Sequence, residues 1–336
     1  MKVLLVVILL LMITYFINGN NNSTTTRIAI IISGQLRSSN LTWSSDYIVH
    51  NAAAKFFGKD DPPTPAATLV EFLFKELMKQ GVGIDVFMYQ QSPTDISSIY
   101  QWNGNAYDYI PTPGDTRGCQ IFSNNDVFKS TGNHFFCLVE NEIQLMNNFL
   151  RKFAHWNSRH PDYNNEFMNE QALQQYYGMY KGNQACKQYS IAYKVKYKYK
   201  IRLRPDTPLT KPIPNLNTLN FGSTDSNCNK TVYFSNKAVT GHSDWFNIGE
   251  AADMDYVLDR YIDFIATDFE WIQSNSNKWW WDLEDHFERL LLDKYAICIK
   301  DAIEFWMVII RRADHQLLAK TKPKDNQYDW VDLSLS

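Results

Sequence analysis

The chain lacks the short signatures of most catalytic machinery. Its five cysteines contain no C-x-x-C pair and no Cys/His spacing that suits zinc. Neither G-x-S-x-G nor H-E-x-x-H occurs, which removes the serine-hydrolase and zinc-protease readings. Internal repeats and heptads are absent, which excludes a solenoid and a coiled coil. Charge of one sign is scarce as well: 33 Lys+Arg against 36 Asp+Glu leave a formal net charge of -3. That balance gives no electrostatic reason to expect nucleic acid or an acidic surface as partner. Only one long hydrophobic run is present, too little to build a channel.

What is present is a core-forming chain of 336 residues, 45% hydrophobic and 15% aromatic. Ten Trp, 19 Tyr and 20 Phe make it aromatic-rich, and aromatic faces suit sugar rings, although most such side chains serve a core. Residues 3–17, VLLVVILLLMITYFI, are uncharged and follow Lys2. At 1.5 Å per residue they fit a signal peptide or a short signal anchor. Ile17-Asn18-Gly19 is a poor cleavage site, so the expectation is an uncleaved anchor over 1–19. A polar stem over 20–26 and one α/β domain over 27–336 would then lie in the ER or Golgi lumen, with secretion as the alternative. Sequons at Asn21, Asn22, Asn40 and Asn229 agree with that compartment, Asn40 and Asn229 being the glycosylation candidates within the domain. Of the cysteines, Cys119 and Cys137 are nearest in sequence and form the first disulfide candidate; a fully reduced set fits equally.

RIAIIISGQLR, residues 27–37, is a continuous apolar run ended by Ser-Gly, the pattern of a strand buried on both faces. Helical periodicity over 66–79 and a second apolar run over 81–90 complete a strand-helix-strand unit, which implies a parallel sheet. Helices are expected over 137–156, from about 168 to 189, over MDYVLDRYIDFIA and over DLEDHFERLLLDK, with a strand over 231–236. For 191–198, helix and strand both remain open.

The most informative stretch is IAYKVKYKYKIRLRPDT, residues 191–207. Its strict alternation sets Lys194, Lys196, Lys198, Lys200, Arg202 and Arg204 against an apolar face, and Pro205 presents Asp206 at a strand's carboxyl end. Two guanidinium groups and a carboxylate there suit a phosphate ester, with or beside a metal. The same pattern also fits a half-buried strand whose lysine face is solvated.

Three further constellations bear on chemistry. Ser33-Gly34-Gln35-Leu36-Arg37 follows the first strand, where a glycine permits close backbone approach and Arg37 can clamp a diphosphate. GHSDWFNIGE, residues 241–250, reads as a loop that sets His242 and Asp244 beside Trp245. Asp244 can take a proton from an acceptor hydroxyl, or close an Asx turn. In KWWWDLEDHFERLL, Asp282 and Asp285 suit helix capping, which frees Glu284 as a candidate base.

Taken in order, ISGQLR, IDVFMY, QALQQYYGMYKGNQAC before YKYKIRLRPDT, then GHSDWFNIGE and a carboxylate helix, the chain resembles a glycosyltransferase family of plants, protists and large viruses. That family shares a Tyr-x-x-x-Ile-Arg-x-Arg-x-Asp strand, and the resemblance spans about residues 27–312 through four short motifs. It implies a GT-A-like α/β domain with a mainly parallel central sheet flanked by helices. The implied substrates are a nucleotide-sugar donor and a glycan or glycoprotein acceptor. Arg202, Arg204 and Asp206 would take the donor edge with Gly34, Gln35 and Arg37. Asp244, Gly249, His242, Trp245 and Arg311 would serve the acceptor side, and Glu284 would open the late helix. Arg204 stands where an Asp-x-Asp pair has its first acid, so a divalent metal, Mn or Mg on Asp206, stays open. A glycan-binding protein without catalysis is the alternative on the same scaffold.

Overall fold

The computed structural model describes residues 26–33, 63–92, 119, 122, 125–129, 132–141, 166–205, 209, 211–222, 228, 230–238, 241–260, 291–301, 309–313, 316–320 and 330–332. The hydrophobic segment, the stem, and the sequons at Asn40 and Asn229 lie outside them. Among the described residues no helix is long and apolar enough to cross a membrane.

The fold is mixed α/β. Seven strands form one sheet in the order β3-β2-β1-β4-β6-β5-β7. They are β1 (Arg27–Ser33), β2 (Gly83–Ser92), β3 (His134–Asn141), β4 (Tyr199–Leu203), β5 (Lys230–Ala238), β6 (Gly241–Glu250) and β7 (Ile297–Asp301). Strands β3, β2, β1 and β4 are parallel to one another, and β5 is parallel to β7. Only β6 is antiparallel to its neighbours β4 and β5. A separate sheet joins β8 (Ile309–Ala313), β9 (Gln316–Lys320) and β10 (Trp330–Asp332) in antiparallel pairs.

Both faces of the large sheet are covered. On one lie α1 (Pro65–Leu69) and α2 (Lys75–Lys79), joined by a π-helical turn over Val70–Phe74. Their Leu69, Leu73, Phe74 and Leu77 pack on Ile28, Ile30, Ile32, Ile201 and Leu203. Thr64 caps α1 by accepting from the Ala67 amide at 3.1 Å, and Pro65 occupies the first turn, where its missing N–H costs nothing. A short third helix, α3 (Asp126–Lys129), follows β2. On the opposite face α4 (Glu166–Tyr193) and α5 (Ala251–Leu258) cover Ala29, Ile31, Phe87, Val232 and Phe234.

Glycines let α4 sit close. A Cβ on Gly182 would lie 2.7 Å from Ile31 Cγ2, and one on Gly178 would lie 2.9 Å from the Tyr89 ring. One helical turn separates the two, so a bare strip of helix rests on β1 and β2.

Three segments differ from the sequence expectation. The helix expected from residue 137 gives way to β3 over His134–Asn141. Phe135 and Cys137 pack into one core while Phe136 and Leu138 pack into the other, so the period is two with both faces apolar. Residues 191–193 continue α4; Lys194 then turns left-handed at φ 53° and ends it, and β4 begins only at Tyr199. The GHSDWFNIGE segment, read as a loop, is strand β6.

The solvated lysine face holds for Lys194, Lys196 and Lys198, which are exposed ahead of β4, and fails within the strand itself. β4 is central and covered on both sides, so Lys200 is buried, Arg202 is 0% exposed and Arg204 7%. Burial of a charge demands a partner. Lys200 has several: its ammonium donates to Asn183 Oδ1 at 2.8 Å and to Asp255 Oδ1 at 2.6 Å, which ties β4 to α4 and α5.

Cys119 is joined to Cys137 and Cys228 to Cys298, with Cα–Cα distances of 5.8 Å and 5.7 Å. The second bridge fastens the approach to β5 onto β7.

Candidate functional site

Strand direction decides where the motifs meet. All parallel strands end at one edge of the sheet, and the antiparallel β6 begins there. Ser33 closes β1 at that edge, Arg204 and Pro205 follow β4, and Gly241–Trp245 open β6 beyond the Phe246–Leu203 pair. Open α/β sheets bind ligands outside the carboxyl ends of their strands. Gly34 and Asp206 are the next residues in the chain after Ser33 and Pro205. With Gln35, Arg37 and Glu284 they lie outside the described residues.

β6 is irregular where it reaches this edge. Its pairing with β5 jumps from Asn247 opposite Phe234 to Ser243 opposite Ser235. Asp244 and Trp245 therefore have no β5 partner and sit in a bulge, a device that re-aims side chains and bends the strand. His242 lies just beyond, paired with Lys237. Gly249 lies at the far end of β6 instead, opposite Lys200 and Val232. A Cβ there would sit 3.1 Å from Val232 Cγ2 and 3.2 Å from Met254 Cγ, so its bareness serves the packing of α5. Arg311 belongs to β8, in the three-stranded sheet.

Cross-strand register sorts the side chains on the α4 face into rows. Ala29, Asp85, Lys200 and Gly249 form the first row; Ile31, Phe87, Arg202, Asn247 and Phe234 the second; Ser33 and Tyr89 the third, nearest the edge. Ser33 and Asn247 are both fully buried, and among the described residues neither Ser33 Oγ nor either amide atom of Asn247 has a hydrogen-bond partner.

Beside them is Glu140, next to last on β3. It accepts from Tyr89 at 2.9 Å and Tyr177 at 3.0 Å, and pairs with Lys181 at 2.9 Å. Burial opposes its charge, but the bonds from Lys181 and Tyr89, the lysine charge and the bond from Tyr177 outweigh it and hold the carboxyl below its ordinary value. Glu140 is thus a fixed anion with its oxygens occupied, unsuited to proton transfer.

The opposite edge carries a different cluster. Asp85, fully buried, accepts from Arg27 Nε at 3.0 Å and from Tyr197 at 2.8 Å, and meets His134 Nδ1 at 2.7 Å. It joins the starts of β1, β2 and β3 to the segment before β4. Desolvation raises its pKa, yet the bonds from His134, Arg27 and Tyr197 and the Arg27 charge prevail and leave it lowered.

The metal left open by the sequence can be weighed against these side chains. Among the described residues no three or more His, Cys, Asp or Glu gather into a metal-holding group. Two guanidiniums, a hydroxyl and an amide among the described residues at the carboxyl edge suit an anion, while Asp206, the metal candidate of the sequence, lies outside the described residues.

Sequence reasoning reached Arg202, Arg204 and the β6 opening but missed Asn247, Lys200 and Glu140. The signal for Asn247 was present: one amide inside the apolar run Trp245-Phe246-Asn247-Ile248, at a position facing α4.

No family model matches the chain, and no curated protein matches it. Among solved structures, it is similar to the crystal structure of the galactosyltransferase LgtC in complex with donor and acceptor sugar analogs. The alignment covers 83% of this chain and 74% of that one, at 8% identity and a TM-score of 0.35. At that level the likeness assigns no activity to this chain.

Proposed function

We propose that the chain is a glycosyltransferase, moving a sugar from a nucleotide-diphosphate donor to a hydroxyl of a glycan or glycoprotein. One observation carries this reading: the end of β1, the end of β4 and the start of β6, distant in sequence and each belonging to a motif, meet at the carboxyl edge of one sheet, where Arg202 and Arg204 supply positive charge. A departing nucleoside diphosphate needs its developing charge neutralised, and guanidiniums in a water-poor site do that strongly. Arg204, just past the end of β4, meets the diphosphate together with Arg37, and Arg202 reinforces them from the second row. Asp206 binds a donor hydroxyl. Asp244, in the β6 bulge, or Glu284 orients and deprotonates the acceptor hydroxyl; one aimed carboxylate suffices for an oxocarbenium-like transition state. Trp245 and His242 border the acceptor. The two disulfides support placement of the domain in an oxidising lumen, behind an N-terminal anchor.

The test is a thermal-shift and turnover screen of the full chain in detergent against UDP-, GDP- and ADP-sugars, with and without manganese. At least one donor should raise the Tm and release nucleotide. Arg204→Ala should lower kcat/KM for that donor by roughly 10- to 100-fold, the worth of one charge-assisted hydrogen bond. Silence toward every donor, with binding to free glycans, would establish the non-catalytic alternative instead.

A further inference from the structure

Asn247 is the polar group that the fold does not explain. It is fully buried on β6, flanked in register by Arg202 on β4 and by Phe234 on β5, and both its amide atoms lack a hydrogen-bond partner. An unsatisfied buried amide loses its water without replacement, whereas a leucine of similar size would pack against Phe234 at no such cost. Two other orphans lie nearby. Ser33 Oγ, one row closer to the edge, has no partner; neither has Gln175 Nε2 on α4. Gly178 is one turn along α4 from Gln175, and a Cβ on it would lie 3.6 Å from Ser33 Cβ, so Gln175 overhangs the sheet edge where Ser33 ends β1.

The orphans share a chemistry. Ser33 Oγ, Gln175 Nε2 and Asn247 Nδ2 are all donors, and they lie near the Arg202 guanidinium of the second row and the Arg204 guanidinium just past the end of β4. Three unpaired donors beside two cations describe an oxyanion. Asn247 Oδ1 adds one acceptor, which an inorganic anion cannot use and a ribose hydroxyl can.

We propose that Asn247, with Ser33 and Gln175, forms the inner wall of the donor site and binds the nucleoside diphosphate directly, Nδ2 on a phosphoryl oxygen and Oδ1 on a ribose hydroxyl. This rests on the donor-edge reading above and assigns to it a residue outside the Arg-x-Arg-x-Asp motif. Asn247 is a specificity-determining residue in this scheme, because its two atoms ask for phosphate and hydroxyl together.

The experiment measures binding of UDP, GDP and inorganic pyrophosphate to the full chain by calorimetry, alongside the ligand-free Tm. Asn247→Leu should raise the ligand-free Tm, since it removes an unsatisfied buried group, and weaken the bound nucleoside diphosphate by about tenfold or more. Its effect on pyrophosphate should be smaller, because only Nδ2 is involved. Ser33→Ala serves as the second variant should Asn247→Leu fail to fold; it should weaken UDP or GDP and pyrophosphate by equal factors. A diphosphate that binds wild type and either folded variant alike overturns the assignment and leaves the donor-edge reading standing. Wild type that binds none of the three overturns both.

Discussion

Asp85 offers the sharpest separation of folding from chemistry. Its carboxylate is wholly buried and joins Arg27, His134 and Tyr197 at the amino edge of the sheet. Asp85→Asn keeps the shape, removes the charge and turns an amide donor toward the Arg27 guanidinium. Removing one partner of a buried ion pair typically costs 3–5 kcal/mol. Here the Arg27 and His134 side chains are 22% and 45% exposed, so water relieves part of the loss and about 3 kcal/mol is the working figure. For a domain of this size that lowers the Tm by roughly 4–6 °C. The pH dependence has a fixed sign. Because the folded pKa lies below the unfolded one, the contribution is complete above the unfolded value of about 3.9 and is lost as pH falls through the folded value. The deficit of the variant should therefore be constant through neutral pH and close below about pH 4. Thermal melts followed by circular dichroism at pH 7 and near pH 3 read both statements. A Tm change under about 2 °C at neutral pH, or an equal deficit in acid, refutes the reasoning. Ser33 lies six residues along β1 from Arg27, roughly 20 Å at strand rise, so nucleotide affinity of the folded variant should be unchanged.

Other outcomes follow from the same structure. Gly182→Val places a branched side chain where Ile31 Cγ2 is already 2.7 Å from a bare Cβ position, and overpacking should cost about 1–3 kcal/mol in a urea titration. A midpoint equal to wild type would mean that α4 does not lie this close. Lys194→Gly relieves a left-handed backbone at φ 53° and should stabilise by about 1 kcal/mol, with a lower Tm as the contrary result. Burial pushes the Cys186 thiol up to about 12, and the other four cysteines are bridged. Unreduced protein should show no rapidly reacting thiol when native and one per chain in guanidinium chloride; three or five would dismiss one or both bridges.

Periodicity revealed the elements whose burial is lopsided or complete. The apolar run of β1, the amphipathic stretch beginning at α1 and the apolar run of β2 were legible, and with them the parallel pairing of β1 and β2. It misled where both faces are covered by unlike layers. In β3 alternate residues serve two different cores, so no polar face announces a strand. In 191–198 the alternation of tyrosine and lysine imitates a strand while Ser190 and Lys194 end a helix: the Val195 amide returns to the Ser190 carbonyl at 3.1 Å. That stop is a backbone event, invisible to a hydrophobic pattern. The candidate site was legible only where charge marked it. Arg202 and Arg204 stand out in a sequence; an amide in an apolar run does not, because its meaning depends on which neighbours fail to bond it.

The rows on the α4 face turn that last point into a criterion. In the first row the buried charges are saturated: Asp85 has three partners, and Lys200 is held by Asn183 and Asp255. Moving toward the carboxyl edge, Asn247 in the second row and Ser33 in the third are as deeply buried yet bond nothing. These two groups are as buried as Asp85 and Lys200 but unpaired, unlike their neighbour Glu140, so stability alone does not account for them. A fold that can pair Asp85 with three donors can also dispense with an orphan amide. Asn247 and Ser33 therefore mark where this sheet meets something other than itself, at the same edge to which the topology brings the opening of β6 and the ends of β1 and β4.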